Sequence, residues 1–285
     1  MREAAFEPPV HSVYVFFFLT FAIAWGVMGV VLVFQDVVEA ALGPMGATHP
    51  LFILAVWSPA ISGVVLVLWY GGLPGLRRYL SRLLLWRAPV GWYLLLLIGL
   101  PAISYLGAAL GGMSMHEALA QPPLRQLLPL IGFMLILGPV EELGWRGYAT
   151  PLLQRRLAPI WAGLVVGVFW ALWHVPAFFL DGTPQSGWEV MPFVIGAIGV
   201  SIILTAFFNA AHGSILVAIL FHWQLNMPIW PDAQPWDMYL FVVLAITVVW
   251  VKRADMFSRM GAVTKVMPIQ HRGLPSGTVL SERCP

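Results

Sequence analysis

Two adjacent carboxylates end an apolar run near the middle of the chain. Glu141 and Glu142 follow the stretch 126–140, and Arg146 comes four residues after Glu142. Ionisable groups inside a membrane each cost roughly 2.5–3.5 kcal/mol on insertion scales, so a chain that keeps them usually uses them. Because residues i and i+4 share a helix face, Glu142 and Arg146 can form a structural ion pair. Glu141 points about 100° away on the same helix, and we expect it to act as a general base or a metal ligand.

Two later apolar runs each contain a histidine. His174 ends the sequence Trp170-Ala-Leu-Trp-His174, and His222 precedes Asn226 by four residues, on one face of a helix. An imidazole and a carboxamide on one face can donate two hydrogen bonds to a developing oxyanion. Purely structural roles are the alternative: His174 would bond a nearby carbonyl, and His222 with Asn226 would join two helices. The tryptophans of this region are interpreted mainly as packing residues and interfacial anchors.

Together, these side chains indicate one reaction class. A carboxylate, two imidazoles and an amide are sufficient to activate a water molecule and to stabilise a tetrahedral intermediate. If the helices of a bundle bring Glu141, His174, His222 and Asn226 together, the chemistry is acyl transfer to water, which is peptide hydrolysis.

The composition sets the fold class. The chain has 285 residues, of which 60% are hydrophobic and only 10% are charged, whereas an average soluble domain is nearer ~25% charged. Cys284 is the only cysteine, which excludes a disulfide framework and a thiolate metal cluster. Apolar runs near the ~20 residues that cross a bilayer predict an all-α, polytopic membrane bundle of about eight helices. The predicted spans are Ser12–Phe34, Leu51–Tyr70, Gly91–Leu110, Gln126–Leu143, Pro159–Leu180, Met191–Asn209, Gly213–Pro228 and Trp236–Val251.

The charges of the loops support this count. Of the 15 basic residues, 14 lie before the first span, in or at the edge of the links that follow the second and fourth spans, or in the tail after the eighth, and Arg125 is the exception. Because cytoplasmic loops carry the excess of Lys and Arg, both termini are predicted to be cytoplasmic. Arg greatly outnumbers Lys, a bias associated with GC-rich bacteria, which suggests a multi-pass protein of a bacterial inner membrane.

The chain is predicted to consist of one domain and one tail. Residues 1–255 are predicted to form a single transmembrane domain with the chemical motifs in 126–228, and residues 256–285 to form a polar, disordered cytoplasmic tail. The expected partners are the lipid bilayer and a membrane-associated peptide or protein substrate; no nucleic acid is expected. We also expect a polar cavity that opens on the cytoplasmic side.

The motifs and their order resemble a known family. Glu141-Glu142-x-x-x-Arg146, an aromatic residue four before His174, and His222-x-x-x-Asn226 are similar to those of the CAAX-protease and bacteriocin-processing (CPBP or Abi) family of intramembrane endopeptidases. The family usually has Phe where this chain has Trp170. The resemblance implies that Glu141 activates water with help from His174, that His222 and Asn226 form the oxyanion site, and that Glu142 and Arg146 support the motif helix.

The resemblance leaves the cofactor and the activity open. Members are often called metalloproteases, and Glu141, His174 and His222 could form a three-ligand zinc site with an open position for water. The same groups also work without a divalent metal. The alternatives to a protease are a non-catalytic immunity or scaffold protein, and a proton-coupled transporter.

One expectation concerns depth. Glu141 lies near the end of the predicted fourth span, whereas His174 lies about 22 Å into the fifth, at 1.5 Å per residue. A shared site therefore requires the fourth span to continue past Arg146 toward Pro151, or the fifth to begin near Arg155, unless tilt closes the gap.

Overall fold

The computed structural model describes residues 7–268, and every regular element in that part of the chain is a helix. Six helices there are long and apolar enough to cross a membrane: α1 (Ser12–Val33), α2 (Ser58–Leu84), α3 (Val90–Leu110), α4 (Leu124–Gln154), α5 (Pro159–Phe179) and α6 (Val190–Ala210). Two shorter apolar helices follow, α7 (Ile215–Leu225) and α8 (Trp236–Val251). The predicted all-α membrane bundle is confirmed, and each predicted span overlaps one of these helices.

Helix α2 continues well past the end predicted for it. The predicted second span stops at Tyr70, but the helix runs to Leu84 across a break at Gly72, whose φ of 56° lies in the left-handed region. Glycine tolerates this conformation because it lacks a Cβ. Pro74 follows at once, and its ring adds to the interruption of the helix. The basic stretch after Tyr70 is therefore part of a kinked helix.

The length of α4 places Glu141 at the depth of His174. The helix spans 31 residues and contains a 3₁₀ segment at Pro139–Glu141 and a π-helical turn at Trp145–Ala149. Glu141 thus lies 13 residues before Gln154, and His174 lies 15 residues after Pro159. At 1.5 Å per residue both are roughly 20 Å from the short link between α4 and α5. The sequence left open whether the fourth span continues past Arg146 or the fifth begins near Arg155. In the structure, the fourth span continues past Arg146.

Helix α6 forms the centre of the bundle. In its most apolar stretch of 18 residues, 67% are buried, the highest share among the six long helices. The helix packs against α5 and α8. Small residues allow this close packing: a Cβ on Gly167 of α5 would lie 2.8 Å from the Cα of Ile198. Glycines at such contacts let helix backbones approach closely within a bilayer.

Helix α7 ends inside the bundle. It has 11 residues, about 16 Å at 1.5 Å per residue, so it covers only about half of a hydrocarbon core of ~30 Å. The predicted seventh span continued to Pro228, but the helix stops at Leu225 and Asn226 caps its end. Irregular backbone at this depth is tolerated where it lines a cavity.

The segment after residue 256 follows a defined path as far as the structure describes it. Val266 and Met267 are buried, and their amide groups donate to the carboxylate of Glu7 at 3.0 and 2.8 Å. Gln154 and Arg155 donate to the carbonyls of the same segment. Its polar sequence suggested disorder, but its backbone groups find partners on the bundle. Residues 269–285 of the predicted tail lie outside the described residues.

Candidate active site

Glu141 is buried and held by two indole groups. Its side chain is on the 3₁₀ segment of α4, and the residue is 2% exposed. Trp145 Nε1 donates to Oε2 at 3.2 Å and Trp170 Nε1 donates to the same oxygen at 2.9 Å. Charge-assisted bonds of this kind fix a carboxylate strongly. Both bonds fall on Oε2, so Oε1 is left for a water molecule or a substrate.

Trp170 lies between the polar groups of the site. Its ring makes edge-to-face contacts with His174 and His222, each with ring centroids 5.4 Å apart. The Arg146 guanidinium lies 5.5 Å from the same ring, within the range of a cation–π interaction. One indole therefore bonds Glu141 and packs against both histidines.

His174 is held through its own helix. It is the C-cap of the α-helical part of α5, and Nδ1 lies 2.8 Å from the carbonyl oxygen of Trp170. Because a carbonyl only accepts, Nδ1 carries the proton, and a neutral ring then has Nε2 as an acceptor. The hydrogen bond to a nearby carbonyl that we considered as the structural role is present, and His174 lines the cavity as well.

Glu142 has two partners, of which the sequence indicated one. Arg146 Nη1 lies 3.1 Å from both carboxylate oxygens, which confirms the predicted ion pair, and both side chains are fully buried. His222 Nδ1 also donates to Oε1 of Glu142 at 2.8 Å. With its Nδ1 proton directed at Glu142, His222 can donate from Nε2 only as an imidazolium. Glu142 lies between that ring and Arg146 and accepts a hydrogen bond from each.

His222 and Asn226 meet at a glycine of α4. An added Cβ on Gly138 would lie 3.3 Å from His222 Nε2 and 2.2 Å from Asn226 Nδ2. Both donor nitrogens therefore approach the same point of the α4 backbone. His222 lies in the last turn of α7 and Asn226 is its C-cap, so they come together although the helix ends between them.

One cavity of about 380 Å³ is lined by all four candidate side chains, Glu141, His174, His222 and Asn226. The remaining lining is largely apolar and aromatic. A concave, mostly apolar pocket with a few convergent polar groups is typical of a ligand-binding site. The cavity reaches the surface beside the exposed residues Pro184 and Asp232, at the end of the bundle away from both described chain ends.

The arrangement of the candidate ligands bears on whether the site could hold a metal ion. Both histidines hold Nδ1 in a hydrogen bond, the arrangement usual for a metal-ligating imidazole. Within residues 7–268, however, no group of three His, Cys, Asp or Glu side chains comes together as a set that could hold a metal ion. We therefore derive no step through a metal, and zinc at Glu141, His174 and His222 stays a prediction.

These features define a class first: a multi-pass helical membrane protein with a buried carboxylate, two imidazoles and an amide around one cavity. Residues 123–228 match the family model described as type II CAAX prenyl endopeptidase Rce1-like. Over 106 residues the chain is 35% identical to CAAX prenyl protease 2 of Methanococcus maripaludis, an alignment that covers 35% of this chain and 39% of that relative. The matched segment contains all three motifs, and the resemblance to CAAX-type proteases is confirmed for it.

Proposed function

We propose that the protein is an intramembrane endopeptidase that hydrolyses a peptide bond of a membrane-associated substrate. One observation supports this most strongly: Glu141 is held by two indole N–H groups in the wall of a cavity that also contains both imidazoles and the amide. The likeness of residues 123–228 to CAAX prenyl proteases points to the same activity.

In the proposed reaction, Glu141 takes a proton from a water molecule through Oε1. Nε2 of His174 accepts a hydrogen bond from the same water and orients it. The oxygen attacks the carbonyl carbon of the scissile bond, and the carbonyl oxygen becomes an oxyanion. General-base assistance of this kind contributes typically 10²–10⁴-fold to the rate.

The oxyanion would be stabilised by His222 and Asn226. Nε2 of the His222 imidazolium and Nδ2 of Asn226 each donate one hydrogen bond, and Glu142 balances the positive charge of the ring. Glu141 then passes its proton to the leaving nitrogen as the C–N bond breaks. The products are a carboxylic acid and an amine, which become a carboxylate and an ammonium ion when the acid gives its proton to the amine, and Glu141 returns to its ionised state.

The test compares the native protein with Glu141→Gln in liposomes, against a library of membrane-anchored peptides. Glu189→Gln is the matched control, because it also removes one carboxylate but at an exposed position outside the cavity lining. We expect cleavage by the native protein and by Glu189→Gln, and none by Glu141→Gln. Equal cleavage by all three would overturn the role of Glu141.

The same assay, repeated with a chelator, distinguishes a metal-dependent mechanism from one that uses the side chains alone. Loss of cleavage with chelator, restored by Zn²⁺, would support a metal held by Glu141, His174 and His222. Unchanged cleavage would support water activation by the side chains alone. A protein that cleaves no peptide would instead favour the scaffold or immunity alternative.

A further inference from the structure

Among the described residues, the exposed lining of the cavity lies at one end of the bundle. Its exposed lining residues, Pro184 and Asp232, belong to the link between α5 and α6 and to the link between α7 and α8. Trp188 Nε1 donates to Asp232 Oδ2 at 3.0 Å, which joins the two links at the mouth. Both links lie at the end of the bundle where α5 stops and α6 begins. We call this the open end.

The opposite end of the cavity is closed by packed side chains. Trp145, Arg146 and Tyr148 follow Glu141 along α4, and each has no exposed surface. Other fully buried aromatic side chains extend this layer toward the described chain ends: Tyr79, Phe207, Phe208 and Phe221. Protein interiors packed at this density admit no passage for a peptide. A substrate therefore reaches Glu141 from the side of this layer that faces the open end.

The two ends of the bundle have opposite charge. The closed end carries the acidic residues Glu7 and Asp255 and ten basic residues among those described: Arg77, Arg78, Arg82, Arg87, Arg155, Arg156, Lys252, Arg253, Arg259 and Lys265. The open end carries Arg125 and seven acidic residues: Asp36, Glu39, Glu117, Asp181, Glu189, Asp232 and Asp237. Lys and Arg accumulate on the cytoplasmic side of membrane proteins, so the closed end is assigned to the cytoplasm.

The geometry points to a substrate that enters from the extracytoplasmic side, through the mouth between the α5–α6 and α7–α8 links. This inference rests on the proposed function, and it reverses the expectation from sequence of a cavity open to the cytoplasm. That expectation placed the cavity mouth beside the basic loops, and the structure places it at the other end. The substrate would be a membrane-anchored protein with a cleavable segment near its outer surface.

The lining of the cavity also restricts the charge of that segment. Glu141, Asp232 and Asp237 line it, and among its described lining residues there is no Lys or Arg. The His222 imidazolium of the proposed reaction is already paired with Glu142, so a substrate carboxylate drawn into this space would have no unpaired cationic partner, which is costly in a low-dielectric site. The segment that binds is therefore neutral or basic.

The side of entry is tested by labelling single cysteines. Cys284→Ser removes the only cysteine, and Ser186→Cys at the open end or Ala254→Cys at the closed end then adds one at an exposed position. We expect a membrane-impermeant maleimide to label Ser186→Cys in intact cells, and Ala254→Cys only after the cells are permeabilised. The reverse pattern, or labelling of both in intact cells, would overturn the inference. This measurement needs no activity, so it stands apart from any failure of the proposed function.

A second test addresses charge. Each peptide that the protein cleaves is compared with two analogues, with Lys or Glu two residues from the scissile bond. We expect the kcat/KM of the Glu analogue to be at least tenfold below that of the Lys analogue. Equal rates, or faster cleavage of the Glu analogue, would overturn the assigned charge preference.

Discussion

The indole of Trp170 donates to Glu141 across two helices, with Nε1 2.9 Å from Oε2. The related family usually has Phe at this position, which has a ring of similar shape but no donor. In this chain the indole therefore adds a hydrogen bond to the packing that a phenyl ring would provide, and it places Trp170 among the residues that position the proposed base.

Replacement of Trp170 by Phe should slow catalysis while leaving binding nearly unchanged. A hydrogen bond to a charged group contributes about 1.5–3 kcal/mol, and part of that loss should lower kcat by about tenfold. KM should change less than twofold, because the ring remains. Steady-state kinetics on a cleaved peptide would measure both. Trp161→Phe is the control, since Trp161 is on the same helix but 51% exposed; an equal loss in both variants would contradict the positioning role.

Replacement of Glu142 by Gln should reduce both activity and stability. Gln retains an acceptor but removes the negative charge between Arg146 and His222, so the hydrogen bond that holds His222 is weakened. Loss of an oxyanion donor costs about 10²–10³ in kcat, and a comparable fall is expected. Loss of one partner of a buried ion pair costs about 3–5 kcal/mol, so the unfolding midpoint should fall as well.

A double-mutant cycle distinguishes these two effects. If Glu142 acts through His222, then kcat of the double variant Glu142→Gln with His222→Gln should be no lower than that of the slower single variant. Fully additive losses in kcat would show that Glu142 acts on catalysis independently of His222.

Replacement of Gly138 by Ala should damage the proposed oxyanion site. The new methyl group would lie 2.2 Å from Asn226 Nδ2, so the amide must move. We expect kcat to fall about 10²-fold, as for the loss of one donor. Gly132→Ala, on the same helix with no atom within 4 Å of an added Cβ, is the matched control and should retain native activity. Native kcat in Gly138→Ala would remove Asn226 from the oxyanion site.

Replacement of Arg82 should destabilise the fold without involving the site. This fully buried guanidinium donates to the carbonyls of Gly147, Gly213 and Val266 at 2.8, 2.9 and 3.1 Å. Each carbonyl left unpaired costs about 1–3 kcal/mol, so Arg82→Met should lose about 3 kcal/mol or more. Thermal unfolding in detergent, followed by tryptophan fluorescence at one scan rate, would measure the fall. The exposed Arg87→Met is the control, and equal midpoints in the two variants would contradict the role of Arg82.

Local relationships in this protein could be predicted from the sequence, and relationships between distant residues could not. The pair Glu142–Arg146 follows from helical spacing, and the spans follow from runs of apolar residues. The bond from His222 to Glu142 joins residues 80 apart, and no local pattern specifies it. The roles of Trp170 and Arg82 were missed for the same reason, because an indole or a guanidinium looks the same in sequence whether it faces lipid, water or a buried carbonyl. A Trp in place of the family's Phe was the one available signal for Trp170.

The early end of α7 has a consequence for where water is found. The carbonyl groups of residues 222–224 accept from the amides of Asn226 and Met227, which satisfies most of the helix end without lipid or water. Because α7 stops at Leu225, the polar side chains of Gln224 and Asn226 line the cavity, and they favour solvent inside the bundle before any substrate arrives. Hydrolysis consumes one water molecule per bond, and a bilayer interior holds almost none. The interrupted helix thus provides a wet pocket at mid-membrane depth, from which the reaction can draw its second reactant.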